Sequence, residues 1–344
     1  MDFVESWEGI SEMAELTLVE SIRQTLSQEM ERDPKIVLLG EDIGTNGGVF
    51  RVTEGLIDKF GPERVIDTPL SESGIIGFAT GMALYGLHPI PEIQFVDFIW
   101  PGWDQIMSEL SKYRYRSGGQ YPAHLVIRAP YGGGVGGALY HSQSPEAYFA
   151  HTPGLKVVIP SGPKDAKGLL TSSIRASDPV IFMEPKRIYR AFREEVPEEE
   201  FTVPLGVASV VREGDDVTIL SYGSMLHKAL ETADKVRDEQ HISCEVIDLR
   251  TLLPLDIATI EKSVKKTGRV MSVTEDTKTA GFGAELSALI AERLIDYLEA
   301  PILRVTGFDT PFPFVHEPDY LPTVNRIQDS VLKIYNYSYG GASE

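Results

Sequence analysis

The sequence has 344 residues, 42% of them hydrophobic, and this length predicts two domains with sizeable buried cores. The formal net charge of −19 argues against binding to nucleic acid or to anionic lipid, because both partners are themselves negatively charged. Gly, Pro and charged residues interrupt every hydrophobic run before it reaches the roughly 20 residues of a membrane-spanning helix. We therefore expect a soluble protein without a membrane span.

Residues 1–15 form an acidic N-terminal extension. Its acidic residues are Asp2, Glu5, Glu8, Glu12 and Glu15. The extension has neither the basic start of a secretory signal nor the Arg-rich, acid-poor character of an organelle transit peptide. We expect the protein to reside in a cytoplasm, or in an organelle matrix if a presequence has been removed.

The first regular elements are predicted from Thr17 onwards. Thr17 and Glu20 have the spacing of a capping box, which predicts a helix that ends at the turn signal Asp33-Pro34. Apolar runs then alternate with segments of helical period, a pattern typical of an α/β fold with largely parallel sheets. The runs that predict strands in this half of the chain are residues 36–39, 64–66, 125–127 and 157–159.

Glu72 lies where the predicted strand at residues 64–66 gives way to a helix. Ligands of open α/β sheets bind at such points, so Glu72 is a candidate site residue. The alternative is that Glu72 lies in the first turn of the helix and only complements the helix dipole. The spacing is equally compatible with both interpretations.

Residues 92–106 place several aromatic side chains, among them Phe98, beside a carboxylate and the amide of Gln94. Such a wall would suit a planar ring. Aromatic residues also dominate ordinary cores, so a packed strand and helix is the simpler account of this segment.

A glycine-rich loop at residues 132–137 leads into His141. Glycines of this kind can cradle a phosphate, but the Lys-Ser/Thr pair of a P-loop is missing and no dinucleotide fingerprint fits. A backbone that turns sharply around a ligand fits better, and it would bring His141 near a site as a proton shuttle or as a partner of a substrate carboxylate. A lone histidine is more often structural. The other histidines show no metal-ligand spacing.

Charged residues without clear period crowd residues 186–204, which we interpret as a linker. A second alternation of strands and helices follows, and it predicts a smaller α/β domain at residues 205–344. Its strand-like runs are residues 217–220, 245–247, 269–271 and 302–305. Cys244 is the only cysteine, which excludes an internal disulfide framework, and its apolar surroundings predict a buried structural thiol.

Six blocks of the chain match a known family in the same order. They are residues 41–44, 60–81, 112–119, 138–161, 245–251 and 309–313. Through these blocks the chain resembles the beta subunit of a thiamine-diphosphate-dependent 2-oxo acid dehydrogenase, the decarboxylating component of such complexes. The branched-chain type is the nearest match and the pyruvate type is almost as similar. The resemblance covers nearly the whole chain after the acidic extension.

The resemblance implies a transketolase-like pyrimidine-binding domain at residues 16–185, followed by a domain of the transketolase C-terminal type. It implies that Glu72 meets N1′ of the cofactor's aminopyrimidine, that Leu70 and Gln94 line the pocket, and that Phe98 packs on the ring. It places His141 near the substrate and the incoming lipoyl group.

Desolvation would suit Glu72 to this task. If Leu70, Ile75 and Phe98 surround its carboxyl, the charged form is disfavoured, and such a carboxyl can share a proton with the pyrimidine.

One motif of the wider cofactor class is missing. Enzymes with thiamine diphosphate usually hold the diphosphate and a divalent ion with Gly-Asp-Gly followed by Asn, but this chain has no Gly-Asp-Gly. We therefore expect an alpha subunit to hold Mg²⁺ and the diphosphate, with no metal ligands on this chain, in a heterotetramer of two alpha and two beta subunits. The resemblance further implies a lipoyl acyltransferase core as partner and a structural K⁺ site formed mainly by backbone carbonyls.

Two features point to different substrates. Phe98 stands where branched-chain members commonly carry Tyr and pyruvate-specific members carry Phe, whereas residues 140–147 resemble the branched-chain type. We predict oxidative decarboxylation of branched-chain 2-oxo acids with acyl transfer to a lipoyl group, and a pyruvate or acetoin dehydrogenase beta subunit is the alternative. Half of a sugar-phosphate transketolase, a deoxyxylulose-phosphate synthase fragment and a non-catalytic subunit that docks the acyltransferase core stay open.

Overall fold

The computed structural model describes residues 12–338 of the chain. The strands are β1 (Met13–Leu16), β2 (Ile36–Gly40), β3 (Val65–Asp67), β4 (His88–Glu92), β5 (Val126–Tyr131), β6 (Lys156–Val158), β7 (Val180–Pro185), β8 (Glu194–Pro197), β9 (Ser209–Arg212), β10 (Val217–Ser221), β11 (Cys244–Asp248), β12 (Thr251–Leu253), β13 (Val270–Val273) and β14 (Leu303–Val305). The α-helices are α1 (Leu18–Arg32), α2 (Leu56–Phe60), α3 (Glu72–Leu84), α4 (Tyr113–Arg116), α5 (Glu146–Ala150), α6 (Pro163–Ile174), α7 (Ser224–Gln240), α8 (Ile257–Thr267), α9 (Phe282–Leu294), α10 (Glu317–Tyr320) and α11 (Val324–Tyr335).

Helix α1 begins and ends as the sequence predicts. The Thr17 side chain accepts a hydrogen bond from the Glu20 backbone N–H, while the Glu20 carboxylate accepts one from the Thr17 N–H at 2.7 Å. The helix ends at Arg32, and Asp33 caps it in an extended conformation. This capping box is therefore confirmed.

The N-terminal strand joins the two segments that the sequence analysis treats as extension and linker. Strand β1 pairs antiparallel with β8, and Met13 lies opposite Pro197. Of the predicted acidic extension, residues 1–11 lie outside the described residues. The charged segment after residue 186 thus contains a strand, whose partner comes from the start of the chain.

A seven-stranded sheet organises the first half of the chain, in the order β12-β6-β7-β5-β4-β2-β3. All neighbouring pairs are parallel except β12 with β6. Strands β2, β5 and β7 are buried along their whole length, because a parallel sheet is covered by helices on both faces. The predicted α/β class with mainly parallel sheets is confirmed.

The second half of the chain forms a five-stranded sheet in the order β14-β13-β10-β11-β9, with β9 as the antiparallel edge. Helices α7 and α11 pack on one face, in a core that contains Cys244. Cys244 is buried as predicted, and burial raises the pKa of its thiol to about 12. Within residues 12–338, no helix is long and apolar enough to cross a membrane.

The two sheets are linked at strand β12. This strand lies in the range predicted for the second domain, yet it pairs with β6 at the edge of the first sheet. Next to it, Arg250 forms an ion pair with Asp165 of α6, with Nε and Oδ2 2.8 Å apart. Asp248 is buried at this junction, where desolvation and then the charge of Asp165 raise its pKa to about 7.

A buried ionic cluster crosses the middle of the first sheet. The Arg128 guanidinium, 1% exposed, donates to Glu92 at 2.8 Å and to both oxygens of Glu184 at 2.7 and 3.0 Å. The Tyr189 hydroxyl donates to Glu184 at 2.5 Å. Burial alone would lower the pKa of Arg128, but attraction to Glu184 and Glu92 outweighs it and raises that pKa. Strands β4, β5 and β7 are thereby joined through their side chains.

We expect Arg128→Met to lower the free energy of unfolding by about 3–5 kcal/mol, because it leaves two buried carboxyls without their cation. Urea denaturation of the purified chain measures this. The control is Arg193→Met, whose exposed ion pair with Glu20 should contribute less than about 1 kcal/mol. Equal effects of the two substitutions would contradict the assignment.

The pKa of Asp248 predicts a pH-dependent stability. Because it is about 7 in the folded chain and ordinarily 3.8, the stability that this group contributes is present below about pH 4 and lost as the pH rises through 7. Asp248→Asn should abolish that loss, so the variant should gain on the order of 3 kcal/mol relative to the wild type between pH 4 and 7.5. Urea denaturation at both pH values, with the exposed Asp296→Asn as control, tests this. A pH-independent difference would refute it.

Candidate active site

The carboxyl ends of β2, β3 and β4 lie side by side at one edge of the first sheet. Glu72 is the first residue of α3, just beyond β3 at this edge. Glu72 therefore lies in the first turn of a helix and also at the kind of sheet edge where ligands bind. Its position is compatible with both interpretations given above.

The Glu72 carboxylate is half-buried and available. Among residues 12–338, no group donates a hydrogen bond to it. The segment after β4 packs against its backbone: a Cβ at Gly102 would come within 3.0 Å of the Glu72 carbonyl oxygen, and Ser73 donates to the Pro101 carbonyl at 2.7 Å. Glu72 is thus held through its main chain while its side chain stays free.

A second carboxyl, Glu41, lies close to Glu72. Burial, then the charges of Asp42 and Glu72, raise the pKa of Glu41. Glu41 is not among the site residues predicted from the sequence. Its position in the sequence could have indicated the site. Glu41 directly follows β2, which pairs with β3, the strand that precedes Glu72.

The described part of this chain does not by itself form the apolar enclosure expected around Glu72. Leu70 is 72% exposed, so it covers nothing by itself. Ile75 is buried, but it packs into the core beneath α3. The exposed side of the site would have to be covered by something other than the described part of this chain.

The structure brings the rings of Phe98 and His141 together. Their ring centroids are 5.2 Å apart, and Phe95 lies 4.6 Å from His141, both in edge-to-face geometry. The segment that carries these phenylalanines forms a short 3₁₀ turn at Val96–Phe98, not a regular strand and helix. Gln94 is half-buried just before this turn, and its amide makes no hydrogen bond within residues 12–338.

The glycine loop binds carboxylates of the protein itself. Gly133 N–H donates to Glu275 at 2.9 Å, and Gly134 and Gly136 N–H donate to Glu317, the latter at 3.1 Å. These N–H groups are therefore engaged by the second half of the chain. This argues against a phosphate cradle and supports a backbone that turns around a site.

Two buried residues near His141 were not predicted. Asp97 accepts hydrogen bonds from the backbone N–H groups of Ser142 and Gln143, each at 3.0 Å. Lys186 donates to the Gly132 carbonyl, and its ammonium lies 5.7 Å from the Phe95 ring centroid. Burial lowers the pKa of Lys186 to about 8, although nearby carboxylates oppose this.

Metal-ligating side chains do not cluster in the described part of the chain. No three His, Cys, Asp or Glu residues within residues 12–338 are arranged to hold a metal ion.

The chain matches two models of known protein families. A model of the transketolase pyrimidine binding domain matches residues 14–191, and one of the transketolase C-terminal domain matches residues 206–327. The 2-oxoisovalerate dehydrogenase subunit beta of Dictyostelium discoideum is 52% identical over 96% of this chain and 89% of its own length. The chain belongs to the family of 2-oxo acid dehydrogenase beta subunits.

Both branches of this family are similar to the chain. The pyruvate dehydrogenase E1 component subunit beta of Staphylococcus epidermidis is 50% identical over 92% of this chain and 97% of that protein. The 2-oxoisovalerate dehydrogenase subunit beta of Bacillus subtilis is 49% identical over 91% of the chain and 94% of that protein. The predicted resemblance is therefore confirmed.

A solved structure extends the likeness to the fold. The protein described as "Split gene transketolase, inactive beta4 tetramer" superposes with a TM-score of 0.76 over 94% of this chain and 99% of its own, at 23% identity. This beta-subunit chain thus has a transketolase-like fold.

Proposed function

We propose that this beta subunit forms the pyrimidine side of a thiamine diphosphate site and takes part in the oxidative decarboxylation of branched-chain 2-oxo acids, with acyl transfer to a lipoyl group. The observation that carries the proposal is the unpartnered Glu72 carboxylate at the strand edge, in a chain about 50% identical to dehydrogenase beta subunits. Bound thiamine diphosphate would supply the electron-accepting ring that decarboxylation needs.

The side chains at the strand edge fit the cofactor's pyrimidine. The free Glu72 carboxyl would share a proton with N1′, and the free Gln94 amide would donate or accept a hydrogen bond at the ring edge. Phe98 offers an aromatic face for stacking, and Leu70 an apolar contact. His141, held against Phe98, would exchange a proton with the substrate or the lipoyl group.

An alpha subunit would complete the site. Leu70, Phe78 and Tyr85 are 72%, 72% and 91% exposed in and around α3, and apolar side chains of this size in water are typical of an interface. We propose that the alpha subunit covers them and holds Mg²⁺ and the diphosphate, in a heterotetramer of two alpha and two beta subunits. Enclosure by that subunit would also supply the desolvation of Glu72 that the single chain lacks.

The wider partners follow from the same proposal. We propose that the acyl group passes to the lipoyl arm of a separate acyltransferase core, and that the chain carries a structural K⁺ site.

Pyruvate is the second candidate substrate. The relatives of the pyruvate branch are nearly as similar to the chain as those of the branched-chain branch, at 50% against 52% identity, and Phe98 is the residue that favours pyruvate. Steady-state kcat/KM of the alpha–beta assembly on 3-methyl-2-oxobutanoate and on pyruvate, with a lipoyl domain as acceptor, distinguishes the candidates.

We expect Glu72→Gln to lower decarboxylation by roughly 10²- to 10⁴-fold, because a glutamine cannot share the proton at N1′. The measurement is decarboxylation by the alpha–beta assembly with ferricyanide as electron acceptor. Glu63→Gln, at an exposed position, is the matched control, and size-exclusion chromatography confirms assembly. A fully active, correctly assembled Glu72→Gln variant would exclude the catalytic role and leave a non-catalytic docking subunit.

The purified chain alone should bind thiamine diphosphate only weakly, because the groups that hold the diphosphate lie on another subunit. Isothermal titration calorimetry with Mg²⁺, before and after addition of the alpha subunit, measures this. Tight magnesium-dependent binding by the chain alone would refute the shared site.

A further inference from the structure

Carboxylates accept most of the hydrogen bonds that join the segment carrying His141 to the rest of the chain. Within residues 133–143, five backbone N–H groups donate to three acidic side chains. The pairs are Gly133 with Glu275, Gly134 and Gly136 with Glu317, and Ser142 and Gln143 with Asp97. We call these three acidic residues the carboxylate clamp.

The backbone of this segment has little regular structure. Gly132, Gly134 and Gly136 have φ values of +82°, +95° and +68°, which no helix or strand contains. Its own contacts include a 3₁₀ turn at Ala138–Tyr140 and a hydrogen bond from the Gly132 N–H to the Gln143 carbonyl at 2.9 Å. Its backbone N–H groups lack the partners that a helix or strand would provide, and the buried ones, such as those of Gly133 and Ser142, must find acceptors elsewhere because an unpaired buried donor is costly. The conformation of the loop therefore depends on the clamp.

Lys186 is a buried cation that offsets the negative charge of the carboxylate clamp. It is 3% exposed, and the charges of Asp97, Glu275 and Glu317 all act on its ammonium. It also donates to the carbonyl of Gly132, at the start of the loop. Buried carboxylates need such a partner, because their uncompensated charge would be expensive.

Asp97 links the clamp to the aromatic wall. It lies in the same 3₁₀ turn as Phe98, whose ring contacts His141. One oxygen of Asp97 accepts from both Ser142 and Gln143, the two residues that directly follow His141. The short turn at Val96–Phe98 thus determines the position of the ring on which His141 packs. Through Asp97 it also determines the position of the backbone that directly follows His141.

We propose that Asp97 and Glu317 are positioning residues for His141, so that the second domain helps to shape the active site through Glu317. This rests on the role proposed above for His141 in acyl transfer. Neither residue touches substrate; each acts by fixing the loop. Loss of either should release residues 133–143 and misplace the imidazole, and a misplacement of about 1 Å can cost on the order of 10²-fold in rate.

The test uses the alpha–beta assembly with Asp97→Ala, Asp97→Asn, Glu317→Ala and His141→Ala. Asp319→Ala is the control, because Asp319 lies in the same short helix as Glu317 but is 83% exposed. Two readouts are measured: hydrogen–deuterium exchange of peptides spanning residues 132–143, and acyl transfer to a lipoyl domain compared with ferricyanide-linked decarboxylation.

We expect Asp97→Ala and Glu317→Ala to increase exchange in this segment and to slow acyl transfer at least tenfold, in the same step that His141→Ala slows. Asp97→Asn should retain most of the wild-type behaviour, because an amide oxygen still accepts both N–H bonds. Asp319→Ala should match the wild type in both readouts.

Unchanged exchange and acyl transfer in Asp97→Ala and Glu317→Ala, with His141→Ala impaired, would overturn the positioning role while leaving the proposed function intact. Impairment of Asp97→Ala with a fully active His141→Ala would overturn it too, since Asp97 would then act otherwise than through His141. The proposed function itself fails only if Glu72→Gln is active. If Asp97→Ala does not fold, Glu317→Ala carries the test, and it fails if exchange and transfer are both normal.

Discussion

The position of the site depends on the burial of one guanidinium. Arg128 lies between Glu92 and Glu184 in the middle of the first sheet and ties β4, β5 and β7 together. The segments that follow these three strands carry the aromatic turn, the glycine loop with His141, and Lys186. A buried charge tolerates little movement of its partners, because separation leaves it uncompensated. The ionic cluster therefore fixes the relative positions of strands whose ends form the site.

Beyond the strand ends lies a second buried ionic cluster, in which the ratio of cations to carboxylates is different. In the sheet one cation joins two carboxylates, whereas at the loop three carboxylates surround Lys186 and bind backbone N–H groups. The loop contains only one short 3₁₀ turn, Ala138–Tyr140, and its shape depends largely on groups far away in sequence, two of them in the second half of the chain. In this beta subunit the second half of the chain is thus connected to the glycine loop by direct hydrogen bonds.

Local features of the molecule could be predicted from the sequence, and long-range ones could not. The capping box at Thr17 and the apolar runs of the strands depend on neighbouring residues, and the structure has them. Phe98 and His141 are site predictions that come from the family's motifs, and the structure shows only that their rings lie in contact. Asp97 and Lys186 were not predicted as site residues, because nothing in their local sequence reveals partners that lie 45 or more residues away. The enclosure of Glu72 stays a prediction for a different reason: side-chain types around a carboxyl do not say which polypeptide covers it.

Strand β12 makes the two halves of the chain interdependent. It reaches back across the linker and pairs with β6, the strand that would otherwise end the first sheet. A polypeptide that stopped after the linker would leave the backbone of β6 unpaired along an apolar edge, and exposed edges of this kind recruit other strands and promote aggregation. The gene for this subunit therefore cannot be divided at its apparent domain boundary without the first product becoming prone to self-association. The boundary that the sequence suggests does not separate two independent folding units, because one hydrophobic core contains residues from both sides of it, among them Ile127 and Leu220.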